Sequence, residues 1–289
     1  MWVKRSFNDT MSPISATSLQ SVSLFRYRNG ELSPSDDVLA VEEPLQIRIR
    51  EGQKTRSLAI TMRTPGEDEA LALGFLFSEG IIQSPDQILA AERASTRNTT
   101  SRNTLIISLA ASCPVDWARL QRHSYTSSSC GVCGKTSIEQ LEAALPFGEM
   151  PGSWSINSSI IPRLPDTLRR AQRLFEQTGG IHAAGLFTPG GKLLHFAEDV
   201  GRHNAMDKVV GNAFRAGELP LRQRILVLSG RASFELLQKA AMAGISFVVS
   251  VGAPSSLAVT LAEEQSITLC GFVREGGFNC YSHPERIVK

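Results

Sequence analysis

No run in this sequence reaches the ~18 to 20 apolar residues that a bilayer-crossing helix requires, although 42% of its 289 residues are hydrophobic. No membrane partner is expected. The apolar content is instead ample for a buried core, in one large domain or two ordinary ones. A dominant charge is missing as well: 30 Lys and Arg stand against 28 Asp and Glu, for a net charge of +2. That balance excludes bulk nucleic-acid binding, which needs a strong positive field, and leaves room only for a local basic pocket. Lys4 and Arg5 are followed by Asn8, Asp9, Thr10 and several serines rather than by an apolar stretch. The start therefore does not read as a secretory signal, and residues 1–20 are expected to be a disordered tail of a cytoplasmic protein. Cysteines number five, an odd count that disfavours a disulfide framework and makes reduced thiols the default.

The rest of the chain falls into two halves. The first folded region begins near Val22. Val38 to Glu42 and Leu45 to Arg50 read as half-buried strands, Gly52-Gln53 as a turn, and Arg56 to Met62 as the return strand. Thr64-Pro65-Gly66-Glu67-Asp68 reads as a helix start with acids in its first turn, and Gly80 as the C-terminal cap of that helix. Ser95 to Asn103 is polar and turn-like, and Leu105 to Leu109 is a short strand. Residues 122–136 offer little apolar surface, so a mobile exposed loop is expected there. Gly and Pro between Pro146 and Trp154 suggest a boundary. The expected organisation is a smaller α+β domain over 21–150, carrying the loop, and a larger α/β domain over 151–289. In the second half, Thr167 to Glu176 reads as one amphipathic helix, His182 to Phe196 as a hairpin, and Asp199 to Val210 as a helix. Strands at Arg224–Leu228, Ser246–Val251 and Ile267–Val273 alternate with helices at Ala232–Ala243 and Ser255–Glu264. This βαβαβ pattern predicts a parallel sheet with right-handed crossovers.

The loop holds Cys130-Gly131-Val132-Cys133-Gly134-Lys135. Two thiols at this spacing can cycle between dithiol and disulfide, supply half of a zinc site, or carry sulfur as a persulfide. The glycines keep the sulfurs accessible, and Lys135 favours the reactive thiolate. A structural zinc site needs four ligands, yet Cys113, Cys270 and Cys280 have no partner at close spacing. A thioredoxin-like centre expects the pair between a strand and a helix; a Ser-rich loop suits a swinging arm better. Cys270 reads as a core residue in an apolar strand, and Cys113 and Cys280 show no activating context.

Ligands of open parallel sheets bind beyond the carboxyl ends of the strands. Three segments fall at that edge: Ser229-Gly230-Arg231-Ala232-Ser233, Gly252-Ala253-Pro254-Ser255-Ser256, and Phe272-Val273-Arg274-Glu275-Gly276-Gly277. Small residues at a helix start let a phosphate approach backbone N–H groups, and arginines add charge. A serine there is by itself only an N-cap, so the weight lies in three such segments in register. Glu198-Asp199-Val200-Gly201-Arg202-His203-Asn204 packs further polar groups beside a helix start. Asp199 is well typed to hydrogen-bond a guanine edge and Arg202 to hold phosphate. His182 precedes small residues in a strand and can face a pocket.

From Glu42 to the C-terminus the chain resembles the formate dehydrogenase accessory sulfurtransferases. The resemblance rests on Glu43-Pro44-Leu45, Met62-Arg63-Thr64-Pro65-Gly66, Leu73-Gly74-Phe75-Leu76 with Glu79-Gly80, the Cys130–Gly134 motif, and His182-Ala183-Ala184. It continues through Glu198 to Ala205, Asp207-Lys208, Ser229-Gly230-Arg231, and Gly271-Phe272 with Arg274. It implies a homodimer whose larger C-terminal domain is cytidine-deaminase-like. It implies a sulfurtransferase that takes sulfur from a cysteine desulfurase and passes it to the molybdenum (or tungsten) bis-molybdopterin guanine dinucleotide, a cargo with GDP-like moieties, before formate dehydrogenase receives it. Cys130 would carry the persulfide, Cys133 would assist, and Phe272, Val273, Arg274, Glu275, Gly276 and Gly277 would contact the cargo, with Asp199, Arg202, Ser229 and Arg231 completing the edge. Deaminase chemistry itself is not implied, because it needs His-x-Glu followed by Pro-Cys-x-x-Cys, and here His182 is followed by two alanines. A non-catalytic cofactor chaperone and a guanine-nucleotide-binding regulator are the rival expectations.

Overall fold

The computed structural model describes residues 18–96, 99–118, 120 and 154–289. Cys130, Cys133 and the rest of the loop at 122–136 lie outside the described residues.

The chain opens on a hairpin of β1 (Leu19–Arg28) and β2 (Glu31–Ala40). Its turn is Asn29-Gly30, with φ of 52° and 91°, the left-handed pair that a tight hairpin turn demands. Only the end of β2 was expected from sequence. Serines and acids interrupt the apolar alternation of both strands, although Asn-Gly marks the turn. β3 (Glu43–Glu51) and β4 (Lys54–Arg63) form the expected hairpin around Gly52. β5 (Ile88–Thr96) and β6 (Thr99–Leu109) complete a four-stranded sheet in the order β4-β3-β6-β5, with β3 and β6 parallel. The polar stretch 95–103, expected as a turn, is mostly strand. Its backbone pairs Ser95 with Thr100 and Thr96 with Thr99, and backbone pairing does not require apolar side chains.

α1 (Asp68–Ser78) covers this sheet. Gly80, at φ 70°, ends the helix as expected, donating its N–H to the Phe77 carbonyl at 2.9 Å. The expected helix 167–176 is two helices, α2 (Leu164–Ala171) and α3 (Arg173–Thr178), broken at Gln172 with ψ 86°. The break lets the Glu198 carboxylate accept the N–H groups of Leu174 (3.0 Å) and Phe175 (2.8 Å), capping α3 from another segment. A single-segment periodicity cannot show that. A short parallel pair, β7 (Ile156–Asn157) with β14 (Ile287–Val288), ties the chain end to this region.

The six-stranded sheet has the order β13-β12-β11-β10-β8-β9. β10 (Ile225–Leu228), β11 (Phe247–Ser250) and β12 (Thr268–Arg274) are parallel, linked by α5 (Phe234–Met242) and α6 (Ser256–Glu264). This is the expected βαβαβ unit. β8 (His182–Phe187) and β9 (Leu193–Asp199) extend it on one side, and β13 (Gly277–Ser282) closes the other side antiparallel to β12. The predicted Gly-rich loop at 272–277 is therefore the end of β12 and a tight turn of Glu275-Gly276. α4 (Arg202–Arg215) starts three residues later than expected, because Asp199 still belongs to β9. No helix among the described residues is long and apolar enough to cross a membrane.

One apolar cluster runs from Leu45 and Ile47, through Leu71 and Phe77 of α1 and Val209 and Phe214 of α4, to Leu226 and Leu269 of the large sheet. The two halves of the chain share a core. Where α1 crosses α4, Gly74 and Gly211 face each other with no space for a side chain. A Cβ on Gly74 would stand 1.8 Å from the Asp207 carbonyl oxygen, and one on Gly211 1.8 Å from that of Ala70. In an exposed helix Gly→Ala stabilises by up to about 1 kcal/mol. Here the neighbour is helix backbone, which cannot swing aside, and overpacking costs about 1–3 kcal/mol or more. Gly211→Ala is expected to lower the urea midpoint by the equivalent of about 3 kcal/mol; a midpoint unchanged or raised would contradict the crossing.

Candidate functional site

β9 and β10 run in the same direction as β11 and β12, and β8 runs opposite. The carboxyl ends of four strands and the amino end of β8 thus meet at one edge. The structure brings His182, Asp199, Arg202, Ser229, Arg231 and Phe272 to this edge. Backbone hydrogen bonds carry the sheet past its strand ends. Ser229 N–H donates to Ala183 O (3.0 Å), Gly252 N–H to Gly230 O (2.9 Å), and Phe272 N–H to Gly252 O (3.2 Å). The Ser250 hydroxyl bridges the Gly230 and Gly252 carbonyls at 2.7 and 3.0 Å. Three loops that look independent in sequence are one connected rim. Gly252 is required there, since a Cβ would come 3.0 Å from the Arg231 backbone nitrogen and side-chain Cγ.

The polar segment 198–208 divides into groups that hold the rim and groups that face outward. Asp199 is fully buried. Its Oδ2 meets Lys208 Nζ at 2.7 Å and accepts Thr64 N–H at 3.2 Å; its Oδ1 accepts Gly201 N–H at 2.9 Å and Asn204 Nδ2 at 3.0 Å. Both oxygens are occupied by this scaffold, so Asp199 positions the segment, and a guanine edge would need these contacts to open. Lys208, equally buried, also donates to the carbonyls of Thr64 (3.0 Å) and Glu198 (3.3 Å). Val200 N–H donates to Thr64 Oγ1 (3.2 Å), Asn204 Nδ2 to Met62 O (2.7 Å), and Thr61 Oγ1 to Asn204 Oδ1 (3.1 Å). Residues 61–64 of the first half are thereby clamped beneath the rim. Sequence reasoning gave Thr61 and Lys208 no individual role, read Thr64 only as part of a helix start, and took Asn204 only as one member of the polar segment 198–204. The signal was the co-occurrence of two polar blocks, and nothing in their spacing shows that they meet. Next to the clamp, Arg63 is buried and grips Asp68 through two hydrogen bonds at 2.9 and 3.0 Å.

Above the clamp the groups are less satisfied. Arg202 Nε is buried with no hydrogen-bond partner among the described residues, the kind of donor that an anionic ligand completes. His182 is half-buried; burial first, then the charges of Arg202 and His203, lower its pKa against the opposing pull of Asp199. It is therefore a neutral imidazole at neutral pH. Gly230 brings its backbone against this ring, 3.4 Å from His182 Nδ1 to an ideal Cβ position. Ser229 Oγ accepts Ala183 N–H at 2.8 Å and so is part of the rim. At the start of α5, burial would raise the Glu235 carboxyl, but His203, the helix-start N–H and Ser233 outweigh it and hold it at about 2.

Arg231 and Arg274 are exposed, as are Glu275 and Gly276. Val273 is buried beneath them in the second apolar cluster. Phe272 has φ 53° and is 48% exposed. A bulky residue in the left-handed region, left in solvent, carries local strain, and it lies where the β12–β13 ladder is irregular between Gly271 and Arg274. Gly271 allows this path, since a Cβ there would stand 2.9 Å from Pro254. Gly276, at φ 86°, makes the turn to Gly277. Among the described residues no cluster of His, Cys, Asp and Glu could hold a metal ion.

The FdhD/NarQ family model matches residues 40–288. A sulfur carrier protein FdhD of Streptomyces avermitilis is 45% identical over 276 residues, covering 92% of this chain and 94% of its own. That of Picrophilus torridus is 46% identical over 252 residues, covering 87% and 92%. A crystal structure from Desulfotalea psychrophila, described as a formate dehydrogenase accessory protein, superposes with a TM-score of 0.71 at 24% identity, covering 93% of this chain and 99% of its own. It shows the shared fold.

The clamp predicts a thermodynamic signature. Lys208→Met leaves Asp199 buried and unpaired, which costs about 3–5 kcal/mol. Adding Asp199→Asn removes the orphaned charge and is expected to return at least 1 kcal/mol of that loss. A double-mutant cycle by urea unfolding reads the coupling, and strictly additive losses would contradict the pair's role.

Proposed function

The chain belongs to the FdhD/NarQ family, and from that premise we propose that it is a sulfurtransferase serving formate dehydrogenase through a cysteine persulfide. Cys130 is the carrier. Its thiolate attacks the outer sulfur of a persulfide on a cysteine desulfurase, and the donor's cysteine leaves as thiolate. Cys130 then holds Cys–S–SH. The outer sulfur, at the zero oxidation level, passes to the molybdenum (or tungsten) bis-molybdopterin guanine dinucleotide bound as cargo, whose metal would supply the two electrons that make it sulfide; the persulfide proton is released and Cys130 returns to the thiolate. Cys133 assists; by attacking Cys130 it would release hydrosulfide and leave a disulfide between the two. The protein acts in the cytoplasm as a homodimer, with the mixed sheet and its flanking helices read as a cytidine-deaminase-like arrangement.

The observation that carries the cargo assignment is the rim itself. Arg202 Nε, without a hydrogen-bond partner among the described residues, the exposed Arg231 and Arg274, and the strained, exposed Phe272 lie along one edge. Guanidinium forks suit diphosphates, and an exposed aromatic offers a guanine base a stacking face. Family membership supports the sulfur chemistry, since the relatives named above are called sulfur carriers.

Two measurements separate the carrier from the binding edge. After incubation with a cysteine desulfurase and cysteine, mass spectrometry is expected to find one added sulfur on Cys130 and none in Cys130→Ala, which also fails to support formate dehydrogenase. Arg274→Ala is expected to weaken GDP binding about ten-fold, the loss of a hydrogen bond to a charged group, while Cys130→Ala binds GDP normally. A Cys130→Ala protein that still gained sulfur and still activated formate dehydrogenase would sink the assignment.

A further inference from the structure

Two cysteines outside that chemistry face each other across the last hairpin. Cys270 on β12 is directly opposite Cys280 on β13, in antiparallel register. Residues so opposed project to the same face with Cα atoms about 4.5–5.5 Å apart, inside the roughly 4.4–6.8 Å span of disulfides. Both are free thiols, and the Cys280 thiol donates to the Ser282 carbonyl at 3.3 Å. Cys270 is fully buried and Cys280 is exposed, so one sulfur is open to a reagent and the second waits behind it. Sequence spacing gave no reason to pair them, since ten positions separate the two in the chain.

We propose that Cys270 and Cys280 form a redox site that closes into a disulfide on reaction with a low-molecular-weight disulfide, stapling the hairpin that carries Phe272 to Gly277. The Cys280 thiolate attacks one sulfur of the reagent, a mixed disulfide forms, and a reagent thiolate leaves. The Cys270 sulfur then attacks Cys280, its proton passes to the second reagent sulfur, and that thiol leaves. The two cysteines lose two electrons and two protons, and the reagent becomes two thiols. The environment supports this order. The neighbouring Cys270 thiol, against burial, lowers the Cys280 thiol to about 7, while Cys280 and then burial push Cys270 up. Cys280 is thus the attacking thiolate and Cys270 the resolving thiol. Cys113, by contrast, is buried, and burial followed by the charge of Glu51 pushes its thiol up.

The test uses the full chain with Cys130→Ser and Cys133→Ser, so that those thiols take no part and the outcome is independent of the sulfur-carrier reading. After treatment with glutathione disulfide at neutral pH, unreduced tryptic peptides are weighed. Cleavage after Arg274 puts the two cysteines on different peptides, so the bond is read as their joining with the loss of two hydrogens. That product is expected. Cys270→Ser is expected to stop at a stable glutathione adduct on Cys280, and Cys280→Ser to leave Cys270 unmodified. A persistent adduct on Cys280 with Cys270 present, or both thiols unmodified, would overturn the site.

Discussion

The buried pair of Asp199 and Lys208 is the contact on which the rim depends. Two full charges have been taken out of water, and every remaining hydrogen-bonding position is filled by backbone or amide groups from three segments. Such a pair adds little net stability compared with apolar packing, but it tolerates few alternatives, because any shift leaves a charge unpaired. Its value here is positional. It fixes where β9 ends and α4 begins, and it holds Thr64 of the first half under that junction. Arg202 and His203, the first residues of α4, are placed as a result.

The helix crossing extends the same constraint over a longer distance. Gly74 and Gly211 let α1 and α4 approach until each backbone fills the space where the other's side chain would be. Near that crossing Asp207 meets Lys239 of α5 at 2.6 Å and Ser78 of α1 at 3.2 Å. Burial raises the Asp207 pKa, with Lys239 acting against it. A ladder of polar contacts thus runs from α1 through α4 to α5, whose first turn faces the rim. The small sheet influences the site through these helices.

The parts that were legible in the sequence are those whose signal is local. Ile225–Leu228 and Phe247–Val249 are uninterrupted apolar runs, buried throughout, and buried parallel strands read as continuous apolar runs. The three strand-end segments were recognisable by their small residues and arginines. What was hidden depends on contacts distant in sequence. Gln172 breaks a helix because Glu198 caps the second half. β13 pairs with β12 while its own residues alternate weakly. Asp199 looks like a ligand-binding acid from its neighbours in sequence, and only its four partners in space show a residue already in use. Cys280 seemed without context for the same reason, its activating neighbour being the buried thiol across the ladder.

These contacts also account for a chain with almost no net charge presenting a basic edge. Asp68 is occupied by Arg63 and Arg93, Asp199 by Lys208, and Asp207 by Lys239. Glu198 is turned inward onto α3, and Glu235 lies beside His203. Much of the acidic complement near the rim is therefore committed to internal partners. Arg231 and Arg274 instead project from strand-end segments into solvent, with Glu275 the acid exposed beside them. Coulomb attraction acts over the Debye length of about 8 Å at physiological salt, so any anion near this edge would respond to the local arrangement and not to the sum of +2. Composition averages over the whole surface, and the fold undoes the average by sorting which charges are held inside and which remain at the edge.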